Sequence, residues 1–107
     1  MVSTPQEIFP VHREFVAEAI ILRAIGHPLR LRILNEILSR QCNVSSICLS
    51  LEASQAVVSH HLGVLKDAGI VIGSRKGTEV FYSVEIPFVR SLLQIPPFPQ
   101  DSISAAD

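Results

Sequence analysis

No long hydrophobic run occurs in this chain of 107 residues. The longest uninterrupted apolar stretch is Ala19-Ile20-Ile21-Leu22, whereas a membrane-spanning helix needs about 20 residues. Hydrophobic residues make up 48% of the sequence, but they come in periodic segments, so no membrane association is expected. A basic N-terminal region followed by an apolar core and a cleavage site is also missing, which makes the expected location cytoplasmic. Cysteine is scarce. Cys42 and Cys48 are the only two, and in that compartment they are expected as thiols rather than as a structural disulfide. No nucleophile–base pair, phosphate-cradling loop or cluster of carboxylates stands out. An enzyme reading therefore has no residues to rest on, and no cofactor is expected.

An excess of basic charge is missing as well, since the formal net charge is −1. Basic composition is the usual footprint of a nucleic-acid binder, but the distribution changes the reading. Residues 1–22 and 85–107 each carry −2, and residues 23–84 carry +3. The acid sits at the two ends, which is compatible with DNA binding without supporting it.

What is present centres on Val44–Ala68. Val44, Ile47, Cys48 and Leu51 fall at i, i+3, i+4 and i+7, one apolar face of a short helix. The polar turn Glu52-Ala53-Ser54 follows, and Ser54 can cap a second helix by accepting from a first-turn N–H. Val58, His61, Leu62 and Leu65 repeat along an inward face of that second helix. Gly69 stops it where a left-handed residue is easiest. The opposite face carries Gln55, Ala56, Ser59, His60 and Gly63, small or hydrogen-bonding residues with no acid among them. A helix entering the major groove needs such a face at its N-terminal end. Ser54–Ala68 is therefore read as a recognition helix, with Val44–Leu51 as its support.

The flanks agree with a single domain over residues 11–94. Residues 1–10 are expected as a flexible lead-in and residues 95–107, with three prolines, as a disordered tail. Val11–Ile25 has helical period, with Phe15, Ala19, Leu22 and Ile25 on one stripe and Ile20, Ile21 and Ala24 beside it. So wide a stripe in a small domain asks for a second subunit. His27-Pro28 opens the next helix. Leu29, Ile33, Leu34, Ile37 and Leu38 point inward there, and Arg30, Arg32, Glu36 and Arg40 mostly outward. Ile70–Lys76 and Glu79–Val84 read as a β-hairpin around Gly77-Thr78, with Val80 and Tyr82 toward a covered face. Arg75, Lys76 and Gly77 at its tip can lie on the sugar-phosphate backbone or in the minor groove. Ile86–Leu93 has room for a last short helix.

AIGHPLRLRIL at Ala24–Leu34, SQAVVSHHLGVLKDAGIV at Ser54–Val71 and RKGTEVFYSV at Arg75–Val84 together resemble the ArsR/SmtB family of winged-helix repressors. The resemblance covers the chain from about Phe15 to Leu93. It implies a mainly α winged helix-turn-helix with a small β-hairpin wing. It also implies a homodimer built on the first and last helices, which represses at a palindromic operator until an inducer binds. The positions matching the family's DNA-facing residues are Ser54, Gln55, Ser59 and His60, and Arg75, Lys76 and Gly77 match its wing. The position of His61 matches one that holds the recognition helix in the fold. Two common metal-sensing sites of the family are absent: Asn43-Val44-Ser45 stands where one has Cys-Val-Cys, and Glu85-Ile86-Pro87 where the other has Asp-x-His.

Each signal also has a plainer meaning. Winged helices serve as protein-interaction modules too, and this is the alternative function. Cys48, on an apolar stripe, reads as a core thiol. Cys42 precedes a helix start, where backbone N–H groups can lower a thiol pKa. The pair is either inert or a sensor of oxidants, sulfur species or a thiophilic ion. His27 is expected to cap its helix, His61 to pack in the core, His60 to face DNA and His12 to lie near a mobile end. Adjacent His60 and His61 diverge by about 100° on a helix and cannot readily share an ion. Arg30, Arg32 and Arg40 form an ordinary solvated face, with a phosphate contact open to Arg30 or Arg32.

Overall fold

The computed structural model describes the backbone of residues 5–94 and the side chains of residues 15–94. Residues 1–4, the tail 95–107 and the side chain of His12 lie outside it. Helix α1 (Pro5–Ile25) leads into α2 (Pro28–Ser39), α3 (Val44–Leu51) and α4 (Gln55–Asp67), then strands β1 (Val71–Lys76) and β2 (Glu79–Val84), and finally α5 (Pro87–Gln94). The expected element types are all present. The boundary that differs most is the start of α1, which lies at Pro5 rather than at Val11: a helix can continue past the end of its apolar stripe. No helix among the described residues is long and apolar enough to cross a membrane.

Caps set the helix ends. The Leu29 amide donates to His27 Nδ1 at 3.0 Å, with Pro28 in the first turn of α2. At α3 a capping box closes both ways. The Ser46 amide donates to Asn43 Oδ1 at 2.8 Å and the Asn43 amide to Ser46 Oγ at 3.1 Å, so two orphan donors are satisfied at once. The α3–α4 turn passes through Glu52 at φ 54°, ψ 44°. A left-handed conformation is costly for a residue with a Cβ, but here it lets the Ala53 amide donate back to the Cys48 carbonyl at 3.1 Å. Ser54 then caps α4 by accepting from the Val57 amide at 3.2 Å, and Gly69 leaves that helix at φ 76°.

The core is apolar throughout. Ile33, Leu34, Ile47, Val58, Leu65, Ile70, Val71, Val84 and Val89 are fully buried, and among the described residues no polar or charged side chain is buried with them. Helix α2 packs against α3, α4 and β2, and α4 packs against β1. The hairpin is a two-stranded antiparallel sheet in the register Val71↔Val84 through Lys76↔Glu79. Its free edge is pinned where the Tyr82 amide donates to the Cys42 carbonyl at 3.0 Å, an isolated bridge that adds the α2–α3 connection to the sheet. At Gly73 a Cβ would come within 2.9 Å of Val80 Cγ1 and 3.2 Å of a Tyr82 ring carbon, so the side chains of β2 lean over the place where β1 has none.

Helix α1 carries its apolar residues differently. Among its described side chains only Ala24 and Ile25 are buried, whereas Phe15, Val16, Ile20 and Leu22 are between 48% and 59% exposed. In α5, Val89 enters the core while Phe88 and Leu92 stay exposed. Among the described residues nothing covers Phe15, Val16, Ile20 or Leu22 of the stripe that the sequence places along α1.

Candidate nucleic-acid interface

The rotational setting of α4 follows from what it buries. Val58, Leu62 and Leu65 face the core, so residues about half a turn away must face out. Gln55, Ala56, Ser59 and His60 are all exposed, Gly63 is half-buried, and no acid occupies the first turn. Ser54 is exposed as well, with its oxygen used as the cap. The helix N-terminus adds a partial positive charge, which suits an approaching phosphate. Val57 was not among the expected site residues, yet it is 42% exposed in this first turn. Its apolar side chain can meet a thymine methyl group. Its position one residue before Val58, about 100° off the buried seam, is the signal that would have marked it.

In the wing, Arg75, Lys76 and Gly77 are exposed, and Gly77 turns the chain at φ 66°. Strand alternation sends Arg75 and Lys76 to opposite faces. Arg75 shares its face with Val71 and Gly73, and Lys76 shares the other with Ile72 and Ser74. Across the strand from Lys76, Glu79 accepts from Asn43 Nδ2 at 2.9 Å, which ties the wing to the cap of α3. Lys76 Nζ instead lies 5.7 Å from the centre of the Phe81 ring.

Two expectations are refined by the geometry. Arg30 is half-buried and donates through Nη1 to the Ala24 carbonyl at 2.8 Å, where a cation suits the C-terminal end of α1. That commits it to the fold, while Arg32 is exposed. His61 is half-buried rather than enclosed, and its ring lies 4.5 Å from that of His27 and 5.1 Å from that of His60. His61 Nδ1 and Arg30 Nε are closed from solvent with no hydrogen-bond partner. Among the described residues no three His, Cys, Asp or Glu side chains are grouped so as to hold a metal ion.

The two cysteines are free thiols in different surroundings. Cys42 is fully buried, and its Sγ donates to the Glu36 and Arg40 carbonyls, both at 3.4 Å. Cys48 is half-buried at the edge of the core.

The helix pair α3–α4 followed by the β-hairpin is a winged helix-turn-helix, as in known proteins. A family model described as bacterial regulatory protein, arsR family, matches residues 27–72. The transcriptional repressor PagR of Bacillus anthracis is 32% identical over 79 residues, which cover 73% of this chain and 79% of PagR. The chain belongs to the arsR family of bacterial regulatory proteins. Its family is one of transcriptional regulators and not of enzymes. SmtB of Mycobacterium tuberculosis, an HTH-type transcriptional repressor, is 39% identical to this ArsR-family chain over 74 residues, covering 68% of the chain and 55% of SmtB. The crystal structure of PagR superposes with a TM-score of 0.72 at 29% identity, covering 78% of this chain and 97% of that one. Reduced HlyU of Vibrio cholerae does so with a TM-score of 0.75 at 26% identity, covering 80% and 90%. HlyU carries the name of a transcriptional activator, so membership alone does not fix the sign of regulation.

The histidine cluster has a consequence for stability. Burial, then the charges of His27, His60 and Arg30, lower the pKa of His61 from its ordinary 6.5. The folded protein then binds a proton at this site less readily than the unfolded chain. The unfolded state is therefore favoured as pH falls below about 6.5, and the loss levels off below the folded pKa. Urea unfolding between pH 8 and pH 5 should show a steeper acid-side loss of stability in the native protein than in His61→Gln. Parallel curves would contradict the cluster's effect.

Proposed function

We propose that this chain is a DNA-binding transcriptional repressor that holds a palindromic operator as a homodimer. The observation that carries the reading is the first two turns of α4, capped, free of acid and exposed at Gln55, Ala56, Ser59 and His60. Repression rather than activation follows the names of PagR and SmtB. The homodimer is supported by the exposed apolar residues Phe15, Val16, Ile20 and Leu22 of α1 and Phe88 and Leu92 of α5, since clustered apolar surface is a usual mark of an interaction face. Phosphate contacts from the wing, from Ser54 and from the start of α4 would provide most of the affinity. Gln55, Ser59 and His60 would read base edges.

A thiol-directed release at Cys42 and Cys48 has less behind it. The thiolate is the reactive form and needs access, which burial denies to Cys42, so any signal must enter through Cys48. Thiol titration of the folded protein is expected to modify Cys48 first and Cys42 only with unfolding. Rapid modification of both would restore the pair as a sensor.

Division of labour at the DNA gives a direct test by fluorescence anisotropy on DNA upstream of the protein's own gene. Gln55→Ala should reduce preference for that DNA over random DNA by about tenfold, in line with the roughly 1–3 kcal/mol of one base contact. Lys76→Ala should weaken binding to both and lower the salt slope by about 1. A protein-interaction module would bind neither DNA tightly and would keep its function when His60 and Lys76 are replaced.

A further inference from the structure

The hairpin has a second cationic feature, apart from α4. Between the end of α2, the outer face of the wing and the start of α5 lies a cavity of about 300 Å³, near the lower limit of small-molecule sites, which begin at about 300 Å³. Arg40, Lys76 and Arg90 converge on it from three elements. Its floor is apolar, with Ile37, Leu38 and Phe81, and Ser74 adds a hydroxyl at the side.

Two of these three cations have no direct ion pair among the described residues. Arg40 meets Glu36 at 3.1 Å. Among the described residues neither Lys76 nor Arg90 has a carboxylate within 4.0 Å. Glu79, opposite Lys76 in the hairpin register, accepts from Asn43, and Glu85 accepts from Ser83 Oγ at 2.6 Å, so neither carboxylate is directed at these cations. Arg90 is held in place by its Nε donating to the Val84 carbonyl at 3.1 Å, which leaves its two terminal nitrogens to point elsewhere. Two cations without an ion pair, beside the Glu36-paired Arg40 and around an apolar floor, form a site with a definite preference. A planar carboxylate would take paired N–H donors from a guanidinium, and a small ring or alkyl body would cover Phe81 and Ile37.

We infer that this cavity binds a small amphipathic organic anion, a carboxylate on a compact apolar body, and that the bound anion draws Lys76 away from DNA. The second half rests on the repressor reading and deepens it: the site then receives an inducer. Lys76 has only one charge to give, so neutralising it in the cavity removes one phosphate contact and weakens DNA binding at every sequence.

Benzoate serves as the probe, titrated into the full chain without DNA and followed by amide shifts in ¹H–¹⁵N NMR. Saturable shifts confined to the lining residues, Arg40, Ser74, Lys76, Phe81 and Arg90 among them, are expected. At least a fivefold loss of affinity is expected in the Arg40→Gln/Arg90→Gln double variant, and a smaller loss in Arg90→Gln alone should the double variant not fold. Shifts that grow linearly, that spread equally to Arg23 and Arg75, or that survive in a folded variant would overturn the site. Inorganic phosphate binding as tightly as benzoate would overturn the amphipathic class. In a parallel anisotropy series, saturating benzoate should lower DNA affinity about threefold or more in the native protein and leave the Arg90→Gln protein unchanged. Binding of benzoate with no effect on bound DNA would overturn the inducer role, whereas failure to bind DNA without benzoate would instead overturn the repressor reading.

Discussion

The burial of Val58, Leu62 and Leu65 beneath α4 is the constraint on which the rest depends. Each buried side chain of this size contributes roughly 1.5–3 kcal/mol, and together they allow the helix only one rotational setting. That setting decides which residues face solvent, and so which residues can reach a base edge. Turning the helix by one residue would move each side chain by about 100°, burying polar groups and exposing the seam. The face available for recognition is thus selected by what its opposite face hides.

A second constraint fixes the wing relative to that helix. The α2–α3 connection lies against β2, with the Cys42 carbonyl accepting from Tyr82 and Asn43 bonded both to the start of α3 and to Glu79. A displacement of the hairpin therefore disturbs the cap of the supporting helix, and a displacement of α3 disturbs the wing. The thiol of Cys42 lies in this junction, donating to carbonyls at the end of α2. Its burial makes it part of the joint, a role unlike that of a reactive cysteine held in an electropositive, partly exposed place.

Much of this was legible in the sequence, and the reasons are specific. The period of Val58, Leu62 and Leu65 with Ser54 before them and Gly69 after them gives α4 and its outward face without any fold-level knowledge. His27-Pro28 gives the start of α2 because a side-chain acceptor and a proline are both suited to that end. Other features could not be read locally. Asn43 looked like part of a connection, because a capping box with serine at its third position lacks the usual Glu or Gln. Arg30 looked solvent-facing because its partner is a backbone carbonyl of the preceding helix, and no spacing rule encodes that. The convergence of Arg40, Lys76 and Arg90 requires three elements to be folded together, and strand alternation alone separates Lys76 from Arg75. Val57 is indistinct in the sequence because an apolar residue beside a core position resembles core.

The claim most central to this account is that a twofold-symmetric pair of α4 helices reads DNA sequence. Selection of bound fragments from a random DNA library by the purified protein, followed by sequencing, tests it most directly. Enrichment of an inverted repeat is expected, with half-sites about one helical turn apart, near 10 base pairs centre to centre. A selected pool with no shared sequence, or a single unrepeated half-site, would contradict it.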